Sequence, residues 1–295
     1  MERIDIAIIG TGPAGISAAI TAKVRNKNLM LIGKSSLSDK VSKAHQINNY
    51  PGLPAVKGEE FSKKFQEHLN DMKIAITDQR VSMVYPMGEY FGIQTSEGML
   101  EATSVILAAG FAPDKTFKGE NEFLGRGVSY CATCDAQFYK GKKAAVIGYN
   151  EESELEADYL AEIVEEVLYF PMYKKEPVVS KGVKVIYEKP VEIKGGMKVE
   201  QFVTAQNEYA VDGVFILREV ISPVKLVPGL EMAGNHVKVN LQMETNIPGL
   251  FACGDIAGKP YQYIKAAGQG NVAALSAAAY LDALKRKNNH NQEEK

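Results

Sequence analysis

The chain has 295 residues, 45% apolar and 24% charged, with a formal net charge of −2. That length suits about two domains and a core that needs no disulfide staples. A near-neutral chain lacks the basic field that nucleic-acid phosphates require, and no apolar run approaches the ~20 residues of a membrane span.

The N-terminal stretch MERIDIAIIGTG has no basic segment followed by an apolar one, so no secretory leader is expected and the expected compartment is the cytoplasm. Only three cysteines occur, Cys131, Cys134 and Cys253. They are too few for a disulfide framework, and no second CxxC stands ready to complete a zinc site. Glycine is frequent at 26 residues, in segments that alternate with apolar runs, as in an α/β nucleotide-binding protein.

Residues 4–9 form a continuous β-rich run, as in a buried parallel strand. The run enters Gly10-Thr11-Gly12-Pro13-Ala14-Gly15, then a helical pattern to about Arg25, then a second strand at Leu29–Ile32. Strand, GxGxxG, helix and strand in this order are the context a dinucleotide fingerprint needs. Gly10 allows the tight turn, Gly12 lets the backbone approach a pyrophosphate, and Gly15 allows close helix–strand packing. The acid that would bind a ribose at the end of the second strand is replaced by Ile32-Gly33-Lys34.

Next comes Cys131-Ala132-Thr133-Cys134-Asp135. A CxxC in a cytoplasmic chain with βαβ units reads as redox-active, and Asp135 is placed to act as general acid or base for a thiol. Half a zinc site and two inert buried cysteines are the competing readings.

The strand–turn–helix grammar then recurs. Lys143–Ile147 is a strand, Gly148–Ser153 a turn, Glu151–Val164 a helix and Glu166–Phe170 the next strand. Here Asn150 stands where the second glycine belongs, and Glu151 and Glu152 open the helix, where they satisfy its dipole and repel a diphosphate. Phe170–Lys175 offers no arginine pair for a 2′-phosphate. This reads as a lost dinucleotide site, the alternative being a working but unusual one.

The chain closes with a short strand and tight turn at Gly249–Asp255, and a long Ala-rich helix over Gly268–Lys287. After Lys287 the polar tail is expected to be disordered. Cys253 reads as a small core residue, and His45, His68, His236 and His290 as surface or packing residues. The economical layout is an α/β protein of two nucleotide-type domains, the second inserted into the first: residues 1–113 with 244–295, and residues 114–243.

These motifs resemble the low-molecular-weight thioredoxin reductases over about residues 4–284. The shared features are GTGPAG, Asn49-Tyr50-Pro51-Gly52, Leu107-Ala108-Ala109-Gly110, Gly127-Val-Ser-Tyr-CATCD, Asn246–Asp255, and Gln262 followed by Ala266-Ala267-Gly268. The resemblance implies two Rossmann-like domains of the disulfide reductase type, FAD as cofactor, thioredoxin as electron acceptor and a homodimer.

It further implies that Gly10, Gly12, Pro13, Ala14 and Gly15 hold the FAD pyrophosphate, with Asn49, Ala109 and Gly110 near the cofactor. Gly254 and Asp255 meet its ribityl–phosphate portion, and Gln262 its isoalloxazine edge, although the Arg that usually precedes this Gln is Tyr261 here. Cys134 is the thiol nearest the flavin, Cys131 the thiol that attacks the partner disulfide, and Asp135 the acid–base group.

Three departures point away from NADPH. The second fingerprint reads GYNEES, the HRRxxxR-like element reads FPMYKKE, and the GGQL-like segment reads Ser38-Asp39-Lys40-Val41. The sequence is similar in these respects to flavin thioredoxin reductases that take electrons from ferredoxin. An NAD(P)H-dependent reductase with an atypical site, and an oxygen-dependent dithiol oxidase, are the alternatives.

Overall fold

The computed structural model describes residues 3–37, 39–42, 44, 46–110, 117–130, 132–218 and 223–293. The chain divides into two compact units, one of residues 1–95, 99–113 and 222–295, the other of residues 96–98 and 114–221.

The first unit opens with β1 (Ile4–Ile9), α1 (Pro13–Val24), β2 (Leu29–Ile32), α2 (Asp39–Ser42), α3 (Gly58–Asp71), β3 (Ile76–Thr77), β4 (Val81–Pro86), β5 (Phe91–Thr95) and β6 (Gly98–Leu107). β1 runs parallel between β2 and β6, with Ile8 opposite Leu31 on one side and Ile106 on the other. A strand covered on both faces has no use for a polar alternation, which is why 4–9 reads as an unbroken apolar run.

The second unit contains β7 (Val128–Ser129), α4 (Ala132–Asp135), β8 (Lys143–Gly148), α5 (Glu152–Ala161), β9 (Glu166–Pro171), β10 (Val183–Val185), β11 (Pro190–Gly195), β12 (Val199–Thr204), β13 (Glu208–Ala210) and β14 (Gly213–Leu217). Its parallel sheet runs β10-β9-β8-β14-β7, and β11, β12 and β13 form a separate antiparallel sheet. Val146, Ala157, Leu160, Tyr169 and Phe215 are fully buried in the core between α5 and the parallel sheet, and Ala132 and Ala136 at the cysteine turn join the same cluster.

The chain returns to the first unit with α6 (Pro223–Leu226), β15 (Met232–Ala233), β16 (His236–Val237), β17 (Leu250–Ala252) and α7 (Tyr263–Glu293). Residues 222–243, placed in the insertion by the sequence reading, therefore fold with the first unit. β17 joins the large sheet beside β6 in parallel register, Phe251 opposite Ile106. α7 packs along α1 through Ala18, Ala22, Ala273, Ala274 and Ala277, all fully buried. Such short side chains let two helix backbones approach closely.

α7 begins before Gly268 and continues past Lys287 to Glu293, so the tail expected to be disordered is helical over 288–293. Nothing in Asn288–Glu293 is a proline or glycine, so no residue there breaks the backbone pattern of a helix already nucleated.

Candidate functional site

In the first unit the expected cofactor residues gather at the carboxyl ends of the parallel strands β1, β6 and β17, where open α/β sheets bind ligands. Gly12 precedes α1 in extended backbone with no side chain to cap the helix, so the first-turn N–H groups face outward from a bare turn. Gly15 has no alternative, because a Cβ there would lie 1.8 Å from the Gly10 carbonyl oxygen. Thr11 Oγ1 donates to the Lys34 carbonyl at 3.0 Å and joins the turns after β1 and β2. Ala109 and Gly110 follow β6.

Asn49 and Gln262, distant in sequence, meet directly: Asn49 Nδ2 donates to Gln262 Oε1 at 2.6 Å. Gly254 and Asp255 sit in a 3-10 turn after β17. That turn is fixed from α7, where Lys265 Nζ donates to the carbonyls of Gly254 and Gly258 at 2.8 and 2.6 Å. Gln269 Oε1 accepts the Gly254 N–H at 3.0 Å. Burial lowers the Lys265 pKa, against the opposing pull of Asp255.

Sequence reasoning missed Lys265 and Gln269, because lysine and glutamine on a helix carry no motif. It also missed that Tyr261, in place of the usual Arg, is bonded through its hydroxyl to His236 Nε2 at 2.7 Å. Asp78, after β3, accepts both the Ser35 hydroxyl at 2.5 Å and its N–H at 3.3 Å. It thus brings a carboxylate to the end of β2, where the usual acid is missing from the sequence.

In the second unit, Cys131 lies outside the described residues, as does the side chain of Cys134, whose backbone is in α4. What surrounds the pair is described. Ser129 Oγ donates to Asp135 Oδ2 at 2.6 Å. Tyr130 Oη donates to Glu120 Oε1 at 3.0 Å. The N–H of Ala132 donates to Glu156 Oε2 at 2.8 Å.

Glu120 is wholly buried and also accepts both terminal nitrogens of Arg218, at 2.6 and 2.9 Å. The Arg218 guanidinium lies 5.6 Å from the Phe117 ring centre and 5.4 Å from that of Tyr149. Burial alone would lower the Arg218 pKa, but the Glu120 hydrogen bonds and charge override it and the pKa is raised.

The turn after β8 is occupied by the chain itself. Asn150 Oδ1 accepts the Ser153 N–H at 3.2 Å, taking up a first-turn donor that a diphosphate would use. Ser153 Oγ shares a hydrogen bond with Tyr169 Oη at 2.6 Å, Tyr169 Oη with Tyr173 Oη at 3.0 Å, and Tyr173 Oη donates to Glu154 Oε1 at 2.5 Å. A Cβ on Gly148 would lie 2.2 Å from Tyr169 Oη. Burial first, then the Glu154 hydrogen bond, raises the Tyr173 pKa, so this chain of hydroxyls stays protonated. Glu151 pairs with Lys175 at 2.5 Å.

A parallel sheet with a bare glycine turn, followed by a second unit that carries a CxxC, defines a dinucleotide-dependent disulfide oxidoreductase. The chain belongs to the pyridine nucleotide-disulphide oxidoreductase family, whose profile matches residues 4–149 and 170–270. It is 35% identical to the thioredoxin reductase of Helicobacter pylori, over 95% of this chain and 99% of that one. To the thioredoxin reductase of Bacillus subtilis it is 30% identical, over 96% of each. Among solved structures, a ferredoxin-flavin thioredoxin reductase from Clostridium acetobutylicum is 50% identical with a TM-score of 0.90, over 97% of this chain and 99% of that one.

The protein is thus a flavoprotein disulfide reductase of the thioredoxin reductase type, an oxidoreductase that acts on sulfur groups. FAD is its cofactor, and the residues present fit it. The α1 turn is uncapped, and Gly254, at φ 83°, presses so closely on α1 that a Cβ would lie 2.9 Å from that of Ala14. Among the described residues no helix is long and apolar enough to cross a membrane.

Proposed function

We propose that the protein reduces the disulfide of thioredoxin with electrons from reduced ferredoxin, as a homodimer in the cytoplasm. The observation that carries the donor assignment is the self-filled turn at 148–153. Asn150 takes a helix donor, the Ser153–Tyr169–Tyr173–Glu154 chain lies behind it, and Glu152 and Glu154 place carboxylates in the first turn. A dinucleotide phosphate would meet carboxylates and spent donors there. Likeness to the ferredoxin-flavin enzyme of Clostridium acetobutylicum supports the same donor.

FAD, when bound, supplies the conversion of single-electron donations into an electron pair. Gly10, Gly12, Pro13, Ala14 and Gly15 would hold its pyrophosphate, Ala109, Gly110, Gly254 and Asp255 would meet its central portion, and the Asn49–Gln262 pair would meet its isoalloxazine edge. Taking up that electron pair by way of Cys134 together with two protons, the Cys131–Cys134 disulfide would open to two thiols.

The Cys131 thiolate then attacks one sulfur of the thioredoxin disulfide and expels the other as thiolate. Cys134 attacks the Cys131 sulfur of that mixed disulfide, which releases reduced thioredoxin and re-forms the Cys131–Cys134 bond. Asp135, its Oδ2 fixed by Ser129, takes and returns the proton that makes each thiol a nucleophile. The first unit is the FAD domain, and the second carries the cysteines on a nucleotide fold whose own site is lost.

Anaerobic mixing tests this directly. Reduced ferredoxin should bleach the flavin absorbance within seconds, and NADPH and NADH should leave it unchanged. Bleaching by NADPH with none by ferredoxin would show that the second turn still takes a nucleotide.

A further inference from the structure

In a dinucleotide fold the carboxylate that meets the adenosine ribose stands at the end of the second strand, beside the fingerprint turn. In this chain that place holds Ile32-Gly33-Lys34. The structure shows why no acid stands at Gly33. Its φ is 154°, and a Cβ there would lie 3.0 Å from Thr11 Cγ2, in the fingerprint turn itself. A side chain at 33 would push apart the two turns that Thr11 joins through its hydrogen bond to the Lys34 carbonyl.

A carboxylate reaches the same place from the next strand. The Gly33 N–H donates to the Thr77 carbonyl at 3.0 Å, which carries the contact of β2 with β3 one step past the pairing of Ile32 with Thr77. Asp78 follows directly. Ser35 fastens it with two donors on one oxygen: its hydroxyl at 2.5 Å and its N–H at 3.3 Å both go to Oδ2. Asp78 is exposed, and among the described residues its Oδ1 accepts no hydrogen bond. One oxygen thus holds the carboxylate in place, and the other keeps its lone pairs for a ligand.

We infer that Asp78 binds the adenosine ribose of FAD and replaces the acid missing from the end of β2; the inference rests on FAD lying at the α1 turn. That ribose carries two neighbouring hydroxyls, each a donor, and an ionised carboxylate is an acceptor only. Hydrogen bonds to a charged acceptor are the stronger kind. The Ser35 bonds fix the carboxylate before the cofactor arrives, so little ordering remains to be done on binding. A flavin without the adenosine half has nothing to offer this group.

The test uses the full-length holoenzyme and the variants D78N and D78A. Asparagine keeps an acceptor for Ser35 and removes the charge; alanine removes both. Each protein is equilibrated with an excess of FAD mixed with an FAD analogue whose adenosine is 2′,3′-dideoxy. The bound flavins are then separated by chromatography and counted, a ratio that reads the ribose hydroxyls directly.

The parent should retain FAD over the analogue by about tenfold, and the preference should shrink to about twofold in D78N and vanish in D78A. FAD should also leave both variants several-fold faster than the parent, while the analogue leaves all three at similar rates. A parent that takes the two flavins indifferently overturns the inference, and that measurement needs no variant to fold. So does a tenfold preference that persists in both variants, which would leave Asp78 a brace for the Ser35 turn. A parent that holds neither flavin removes the reading of the α1 turn as an FAD site. Failure of the ferredoxin assignment alone would leave these measurements unchanged.

Discussion

Cys253 shows how much a cysteine's surroundings decide its chemistry. It directly follows β17 with no exposed surface, and burial pushes its thiol up to about 12, against a smaller opposing effect of Lys265. Its folded pKa is thus above its ordinary value of 9.0, so the neutral thiol adds stability below that pH, and the contribution is lost as pH rises toward about 12. Urea midpoints should fall across this window, and less so in Cys253→Ala. In the reduced native protein a thiol reagent should label Cys131 and Cys134 and reach Cys253 only on unfolding. The sequence disclosed Cys253 as a core residue because it stands in an apolar strand end. It could not disclose His236 beside Tyr261 or Asp78 beside Ser35, since those pairs are made by the sheet and not by any spacing along the chain.

At the scale of elements, the Glu120–Arg218 pair ties the segment before β7 to the end of β14. Glu120 is fully buried and the Arg218 side chain is 17% exposed, so removing one partner strands a charge. Arg218→Met should cost about 3–5 kcal/mol and lower the thermal midpoint, whereas Arg218→Met with Glu120→Gln should recover most of the loss. Unfolding monitored by circular dichroism distinguishes the two. The strands β1, β2, β8 and β9 were legible because they are short, largely apolar runs, the first three of which run into a glycine. Helix ends were less so. α5 stops at Ala161, short of the expected Val164, because the chain must turn to enter β9. α7 starts at Tyr263, ahead of the expected Gly268, and that glycine sits inside a helix packed on α1.

For the whole molecule, the proposed reaction fixes a stoichiometry. A disulfide takes two electrons and two protons, and a one-electron donor must therefore be consumed at about two equivalents per thioredoxin disulfide reduced. Anaerobic titration with photochemically reduced ferredoxin, read by thiol appearance, should give that ratio. A ratio near one would mean that a two-electron donor is at work. The two-unit plan was readable from the repeated strand–turn–helix grammar, but the point of return was not. Residues 222–243 carry no fingerprint, and only the packing of α6 and β16 in the first unit places them. The hydroxyl chain through Ser153, Tyr169 and Tyr173 is also doubly fastened. The Ser153 N–H reaches both the side chain and the carbonyl of Asn150, and Ser153 Oγ bonds that carbonyl as well as Tyr169. Loss of the Asn150 amide or of the Tyr173 hydroxyl alone therefore leaves Ser153 and Tyr169 each with a partner, so the turn is built to stay closed when any one of its contacts fails.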